Sequence, residues 1–370
     1  MDHGHLSTTQ ARSIFVLATH RSELSQFSAI SPVDEAIRAA AYRRLDVLTK
    51  PRGALGRLEP LAAQVCAIQK TLGVQIVRPV GVVFAADHGV ADRGVSAYPR
   101  EVTAQMVANF LHGGAAISVL AKLQGIELWI VDAGVDGDCG AHPRLIEAKI
   151  RRGTRNFIDE PAMTPEECAA ALQWGRDVVE RVMHGGSNTL ILGEMGIGNT
   201  AAAAMLMHGL TGRELSDCVG RGTGLDDNGL ERKRQLLAQA LKRRAAPQVP
   251  LELLAEFGGY EIAMLTGAVL AGAARQALIL VDGFTVTVAA ALAAQLNSNV
   301  LDYCVFGHCS EEHAHRALLE YLQVQPLLDL GMRLGEGSGA ALALSVVRAA
   351  VALFTEMATF EGAGVSNKDD

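Results

Sequence analysis

Apolar residues at positions 33, 37, 40, 41, 45 and 48 recur every three or four residues, the spacing that gathers them on one face of a helix. The pattern begins after Pro32, with Asp34 and Glu35 placed where acids favour a helix start. It stops at Lys50-Pro51-Arg52-Gly53, because proline disfavours helix in the residue before it. A second helix is predicted over 58–72. The rhythm then changes to short runs rich in Val, Ile and Leu at 80–85, 127–131, 189–192, 277–281 and 300–306. Each run ends close to a glycine, and a helical pattern follows most of them. This alternation predicts an open, mainly parallel sheet flanked by helices, a Rossmann-like α/β arrangement. A closing helix is predicted over 340–356, before a polar tail, and residues 1–30 read as a flexible extension.

Composition narrows the class. The 370 residues are 49% hydrophobic but only 5% aromatic, with 38 glycines, which fits closely packed helices and tight turns. A net charge of −7 gives no global electrostatic reason to bind nucleic acid or an anionic membrane, although local anion pockets stay allowed. No secretory leader is recognisable at the start, and no apolar run is expected to span a bilayer. The six cysteines are scattered without a CxxC pair, so reduced thiols in a cytoplasmic setting are expected.

Chemistry-bearing residues collect where the predicted strands end: Asp87-His88-Gly89, Asp132, Glu194, Asp282-Gly283 and His308. In open α/β sheets a ligand lies beyond the carboxyl ends of the strands, so five such ends favour one shared crevice. Gly193-Glu-Met-Gly-Ile-Gly-Asn-Thr200 is a strand-to-helix glycine loop whose main-chain N–H groups suit an anion; a tight structural turn is the competing reading. It matches neither the P-loop nor the dinucleotide fingerprint. Gly220-Arg-Gly-Thr-Gly224 is a second such loop, and a helix starting near Asp227 would let Lys233 reach back toward one phosphate. A solvated basic face is the alternative there. The stretch from His308 to His315 tempts a metal assignment, but His313 and His315 would point different ways on a helix, and Ser310 is the better anion contact. Glu336 stands alone between glycines, where desolvation would raise its pKa toward the general-base range; an exposed loop acid is equally consistent with these residues. Ser96, Tyr98, Gln105 and Met106 could line a flat slot for an aromatic ligand.

Six segments in this order, Lys50-Pro-Arg-Gly-Ala-Leu-Gly-Arg-Leu-Glu59, Ala86-Asp-His-Gly-Val90, Val102-Thr-Ala-Gln-Met106, the two glycine loops and Arg333-Leu-Gly-Glu-Gly-Ser-Gly-Ala340, closely resemble the nicotinate-nucleotide–dimethylbenzimidazole phosphoribosyltransferase family. The resemblance runs from about Ser31 to Glu356. It implies a large α/β domain over 76–339, a small helical domain built from 31–75 plus 340–360, and a homodimer. It also implies transfer of phosphoribose from nicotinate mononucleotide to 5,6-dimethylbenzimidazole, giving α-ribazole 5′-phosphate for the cobalamin nucleotide loop, without metal or cofactor. By position, Glu336 resembles the catalytic base. Gly196, Gly222, Lys233 and Ser310 resemble the phosphate cradle, and Glu194 and Asp282 the ribose and nicotinate contacts. Tyr98, Gln105, Met106 and Leu334, with Ser96, resemble the benzimidazole pocket. Ala54 departs from the serine expected in the first segment, away from the proposed chemistry. A regulatory nucleotide binder and a transferase or nucleosidase using another acceptor are the competing functions.

Overall fold

A computed structural model of the chain describes residues 30–222 and 224–366. The predicted extension, except Ile30, lies outside the described residues, as do Thr223 and positions 367–370.

Six parallel strands form one sheet in the order β3-β2-β1-β4-β5-β6: β1 Val80–Ala86, β2 Glu127–Gly134, β3 Leu145–Glu147, β4 Thr189–Met195, β5 Leu278–Val281 and β6 Cys304–Phe306. The expected parallel α/β architecture is therefore present. β1 and β5 are buried at every position, which is why they read as continuous apolar runs with no alternation: helices cover both faces. The strand order reverses between β1 and β4, which pair from Val80↔Leu190 to Ala85↔Met195. A crevice at that reversal is where such sheets bind ligands.

Two strands differ from expectation. β3 has only three residues, too few for a sequence signal. The run at 300–306 is mostly not strand: Ser298–Tyr303 winds as a 3₁₀-helix, opened by the Asn297 side chain accepting the Asn299 N–H at 3.1 Å. With three residues per turn, Val300 and Tyr303 share the inward face, so apolar spacing there served a helix.

The early helices fall at Glu35–Asp46 and Leu58–Gln69. Asp34 caps the first, accepting the Ile37 N–H at 2.9 Å. The loop between them is tied by a buried ion pair, Lys50 Nζ to Glu59 Oε1 at 2.7 Å, and Glu59 also accepts the Leu55 N–H. Ala54 is exposed on that loop. The chain's far end returns to this corner: Arg44 donates to the carbonyls of Phe354 and Thr355, and Thr49 N–H to Ala358 O. Two stretches, Val102–Gln124 and Ser338–Glu356, are long and apolar enough to cross a membrane by length and composition. The first is broken into helices Val102–Leu111 and Ala116–Gln124, and the second is over half buried, packed along β4 and β5. Much of the glycine serves packing: a Cβ at Gly175 would meet Met264 O at 1.9 Å, and one at Gly267 would meet Leu172 O at 2.0 Å, so two helices cross there backbone to backbone.

Candidate active site at the strand reversal

The β4 loop and the Glu336 turn are pressed together. A Cβ at Gly193 would lie 2.3 Å from Glu336 O, and one at Gly196 would lie 2.3 Å from Ala86 O at the end of β1. Only glycine lets the loop sit that close. Glu336 itself adopts φ +66°, a left-handed conformation that a non-glycine residue occupies at some cost in strain. Its side chain is only 5% exposed, and Oε2 has no hydrogen-bond partner. Burial pushes the carboxyl up to about 7, opposed by a main-chain hydrogen bond from Ile117 and helped by the nearby Asp282. Of the two readings left open by sequence, the desolvated acid is the one the fold builds.

Asp282 follows β5, fully buried, and accepts N–H groups from Gly337 at 3.1 Å and Ala340 at 2.9 Å. It thereby fixes the first turn of the helix after Glu336. Burial raises its pKa against the pull of His308, whose Nε2 lies 3.7 Å away, and of those N–H groups. Glu194 accepts a short hydrogen bond from Asn199 Nδ2, and a Cβ at Gly335 would lie 2.5 Å from its Oε1. Desolvation, then Asp282 and Glu261, push Glu194 up to about 8, so its neutral form dominates at pH 7.

The second glycine loop closes the other side. Lys233, on helix Asp227–Arg243, has no exposed surface and donates to Thr200 Oγ1 at 3.0 Å and Gly220 O at 3.1 Å. The expected reach back from this helix is thus made, and the two glycine loops are joined through one ammonium. Burial lowers Lys233 to about 8, against the attraction of Glu312. Ser310 sits beside Gly283, where a Cβ would lie 3.7 Å from its own. Its N–H donates to His315 Nδ1 at 2.8 Å, and its Oγ accepts the Glu312 N–H at 3.2 Å.

His315 also bonds Thr287 Oγ1 through Nε2 at 2.9 Å, and burial lowers it to about 3, so it is a neutral structural side chain. Because Nδ1 accepts from Ser310, Nε2 carries the proton. His313 is exposed in the turn before helix His315–Tyr321, so the two histidines do not share a helix as expected, though one is exposed and the other buried. Among the described residues, no group of three His, Cys, Asp or Glu side chains is arranged to hold a metal ion.

The remaining candidates lie outward of this crevice. Tyr98 and Leu334 are 52% and 53% exposed, Gln105 is exposed, and Ser96 and Met106 are half-buried. Ser96 Oγ accepts the Tyr98 N–H at 3.2 Å. The helix carrying Gln105 and Met106 is anchored to the β4 loop, since Thr103 Oγ1 accepts the Ile197 N–H at 3.1 Å.

Sequence reasoning passed over three groups. Thr200 and Glu312 lay inside quoted motifs without a role. The third is Glu261, which holds His88 Nε2 at 2.6 Å with neither residue exposed. An acid opening the apolar helix Tyr260–Ala274 was its only trace.

A parallel sheet with strand order 3-2-1-4-5-6 gathers joined glycine loops and a buried carboxylate at a ligand crevice, and the class is a phosphoribosyltransferase, since the family model described as Phosphoribosyltransferase matches residues 30–365. The chain belongs to the nicotinate-nucleotide–dimethylbenzimidazole phosphoribosyltransferase family. It is 58% identical over 341 residues to the enzyme of that name from Cupriavidus taiwanensis, spanning 92% of this chain and 99% of that one. It is 52% identical over 343 residues to the Dechloromonas aromatica enzyme, again over 92% and 99%. A crystal structure of CobT from Thermus thermophilus superposes with a TM-score of 0.87 at 46% identity, over 90% of this chain and 99% of that one.

Proposed function

We propose that this crevice transfers the 5-phosphoribosyl group of nicotinate mononucleotide to 5,6-dimethylbenzimidazole, with Glu336 as the base. The observation that carries this reading is the Glu336 carboxyl: buried, lacking a partner on Oε2, and poised to titrate near neutrality. Gly196, Gly222, Lys233 and Ser310 hold the 5′-phosphate, Glu194 and Asp282 face the ribose and nicotinate, and Ser96, Tyr98, Gln105, Met106 and Leu334 take the benzimidazole.

A ring nitrogen of benzimidazole forms the new bond to C1′ while the bond from C1′ to nicotinate breaks. The breaking bond's electron pair neutralises the pyridinium, so the leaving group needs no acid, metal or cofactor. The acceptor's remaining N–H proton passes to Glu336. Charge at C1′ becomes oxocarbenium-like, as in other glycosyl transfers. A cationic pyridinium also favours ionised Glu336, so substrate binding itself generates the base.

The small domain of 31–75 with 340–360 and a homodimer belong to the same reading. Val119 and Leu123 are 57% and 73% exposed on the helix whose Ile117 N–H bonds Glu336, an apolar face suited to a second copy. A biosynthetic enzyme of this kind fits a cytoplasmic setting, with all six cysteines free. Incubating the protein with both substrates should release nicotinate and form α-ribazole 5′-phosphate in equal amounts. Nicotinate release without benzimidazole would instead indicate a nucleosidase, and tight nucleotide binding without release a regulatory binder.

A further inference from the structure

The phosphate cradle is not vacant: the chain's own Glu312 lies in it. Glu312 is buried, and both carboxylate oxygens accept the Gly222 N–H, at 3.3 and 3.1 Å. A Cβ at Gly220 would lie 2.0 Å from Oε1, so the carboxylate is seated directly on the loop. Its main-chain N–H occupies Ser310 Oγ, and it is the negative charge attracting Lys233. One acid therefore holds the Gly222 N–H and sets its charge in the field of the Lys233 ammonium, two of the groups assigned to phosphate. A bound 5′-phosphate carries about −1.5 to −2 at pH 7, so it and an ionised carboxylate repel when they share these donors.

We infer that Glu312 is a specificity-determining residue that acts as an internal stand-in for phosphate, surrendering the Gly222 N–H when the nucleotide binds and reclaiming it to expel the phosphorylated product. This rests on the assignment of the cradle made above. The device answers two needs. An inward N–H without ligand would be costly to leave unpaired, and Glu312 accepts from it while offsetting the charge of the buried ammonium nearby. Substrate and product carry the same phosphate, so an uncontested cradle would bind both too well and slow turnover; uniform binding does not raise kcat.

The test is calorimetric titration of nicotinate mononucleotide and of its unphosphorylated nucleoside into wild type, E312Q and K233A. E312Q is expected to bind the nucleotide about tenfold more tightly, with nucleoside affinity unchanged, and to lower KM while kcat falls through slower product release. Unchanged or weaker nucleotide binding in E312Q overturns the inference and makes Glu312 a structural brace. If K233A leaves nucleotide affinity intact, the cradle assignment itself fails, a different outcome. A structure of the wild type with nicotinate mononucleotide gives a second measurement independent of any variant. Glu312 moved off the Gly222 N–H supports the inference, and Glu312 still seated there overturns it.

Discussion

On the phosphate side of the crevice nearly every polar group already has a partner, whereas the base side stands open. Lys233 has no exposed surface and is held by Thr200 and Gly220, while Tyr98 and Leu334 each expose about half of theirs. The contrast follows from where each part sits. The proposed cradle joins the loop after β4 to a loop between helices Leu215–Cys218 and Asp227–Arg243 through Lys233, held by the sheet and by close glycine contacts, so its geometry exists before ligand arrives. The proposed slot is side chains on two loops and one helix face, where Tyr98, Gln105 and Leu334 stand exposed.

Removing the Glu336 carboxylate gives the largest expected effect. E336Q should lower kcat by about 10²–10⁴-fold, the range general bases contribute, while nucleotide affinity is retained. Turnover near the wild-type rate would end the general-base assignment. The same substitution should stabilise the protein. With its folded pKa raised from the ordinary 4.5 to about 7, Glu336 favours folding fully below pH 4.5. That advantage is lost as pH rises through about 7, leaving a penalty at neutral pH. An amide escapes it, so E336Q should raise unfolding stability at pH 7.5 by on the order of 1–3 kcal/mol and show little gain at pH 4. Equilibrium denaturation at both values checks the sign.

The pH profile gives an effect of intermediate size. A base titrating near 7 in the empty enzyme predicts kcat/KM rising about tenfold per unit below that value and levelling above it. The kcat profile should break at lower pH, because bound pyridinium stabilises the carboxylate. Identical breaks in both profiles would separate Glu336 from the cation.

Sequence reached the architecture because parallel strands buried on both faces announce themselves as apolar runs ending at glycine. It located Glu336, Asp282 and Lys233 because each lies in or beside a motif with a physical purpose. The ordered resemblance, more than any single loop, is what suggested roles for them. What escaped notice has long-range causes. Glu312 and Gly222 meet across ninety positions, and Glu261 and His88 across still more, so no local pattern could pair them. At 300–303 the strand reading failed, although 304–306 is strand, because a 3₁₀ turn hides Val300 and Tyr303 on one face while the residues still look β-branched or aromatic. The glycine abundance read as close helix packing is met at Gly175 and Gly267, which serve helix crossing.

The smallest expected effect sits in the open slot. L334A removes a side chain that is 53% exposed, so folding stability should change by less than about 0.5 kcal/mol, as for most surface substitutions. If Leu334 contacts the base, its loss should raise the benzimidazole KM about three- to tenfold, the cost of a partly buried aliphatic contact at a binding surface. The nicotinate mononucleotide KM should stay unchanged, because the cradle does not share that side chain. Competition among dimethylbenzimidazole, unsubstituted benzimidazole and adenine should also narrow, since the methyl groups lose the surface they rest on. An L334A enzyme with unaltered base KM and unaltered base ranking would remove Leu334 from the slot. The cradle would stand unaffected, because Lys233, Thr200 and the two glycine loops are joined without it.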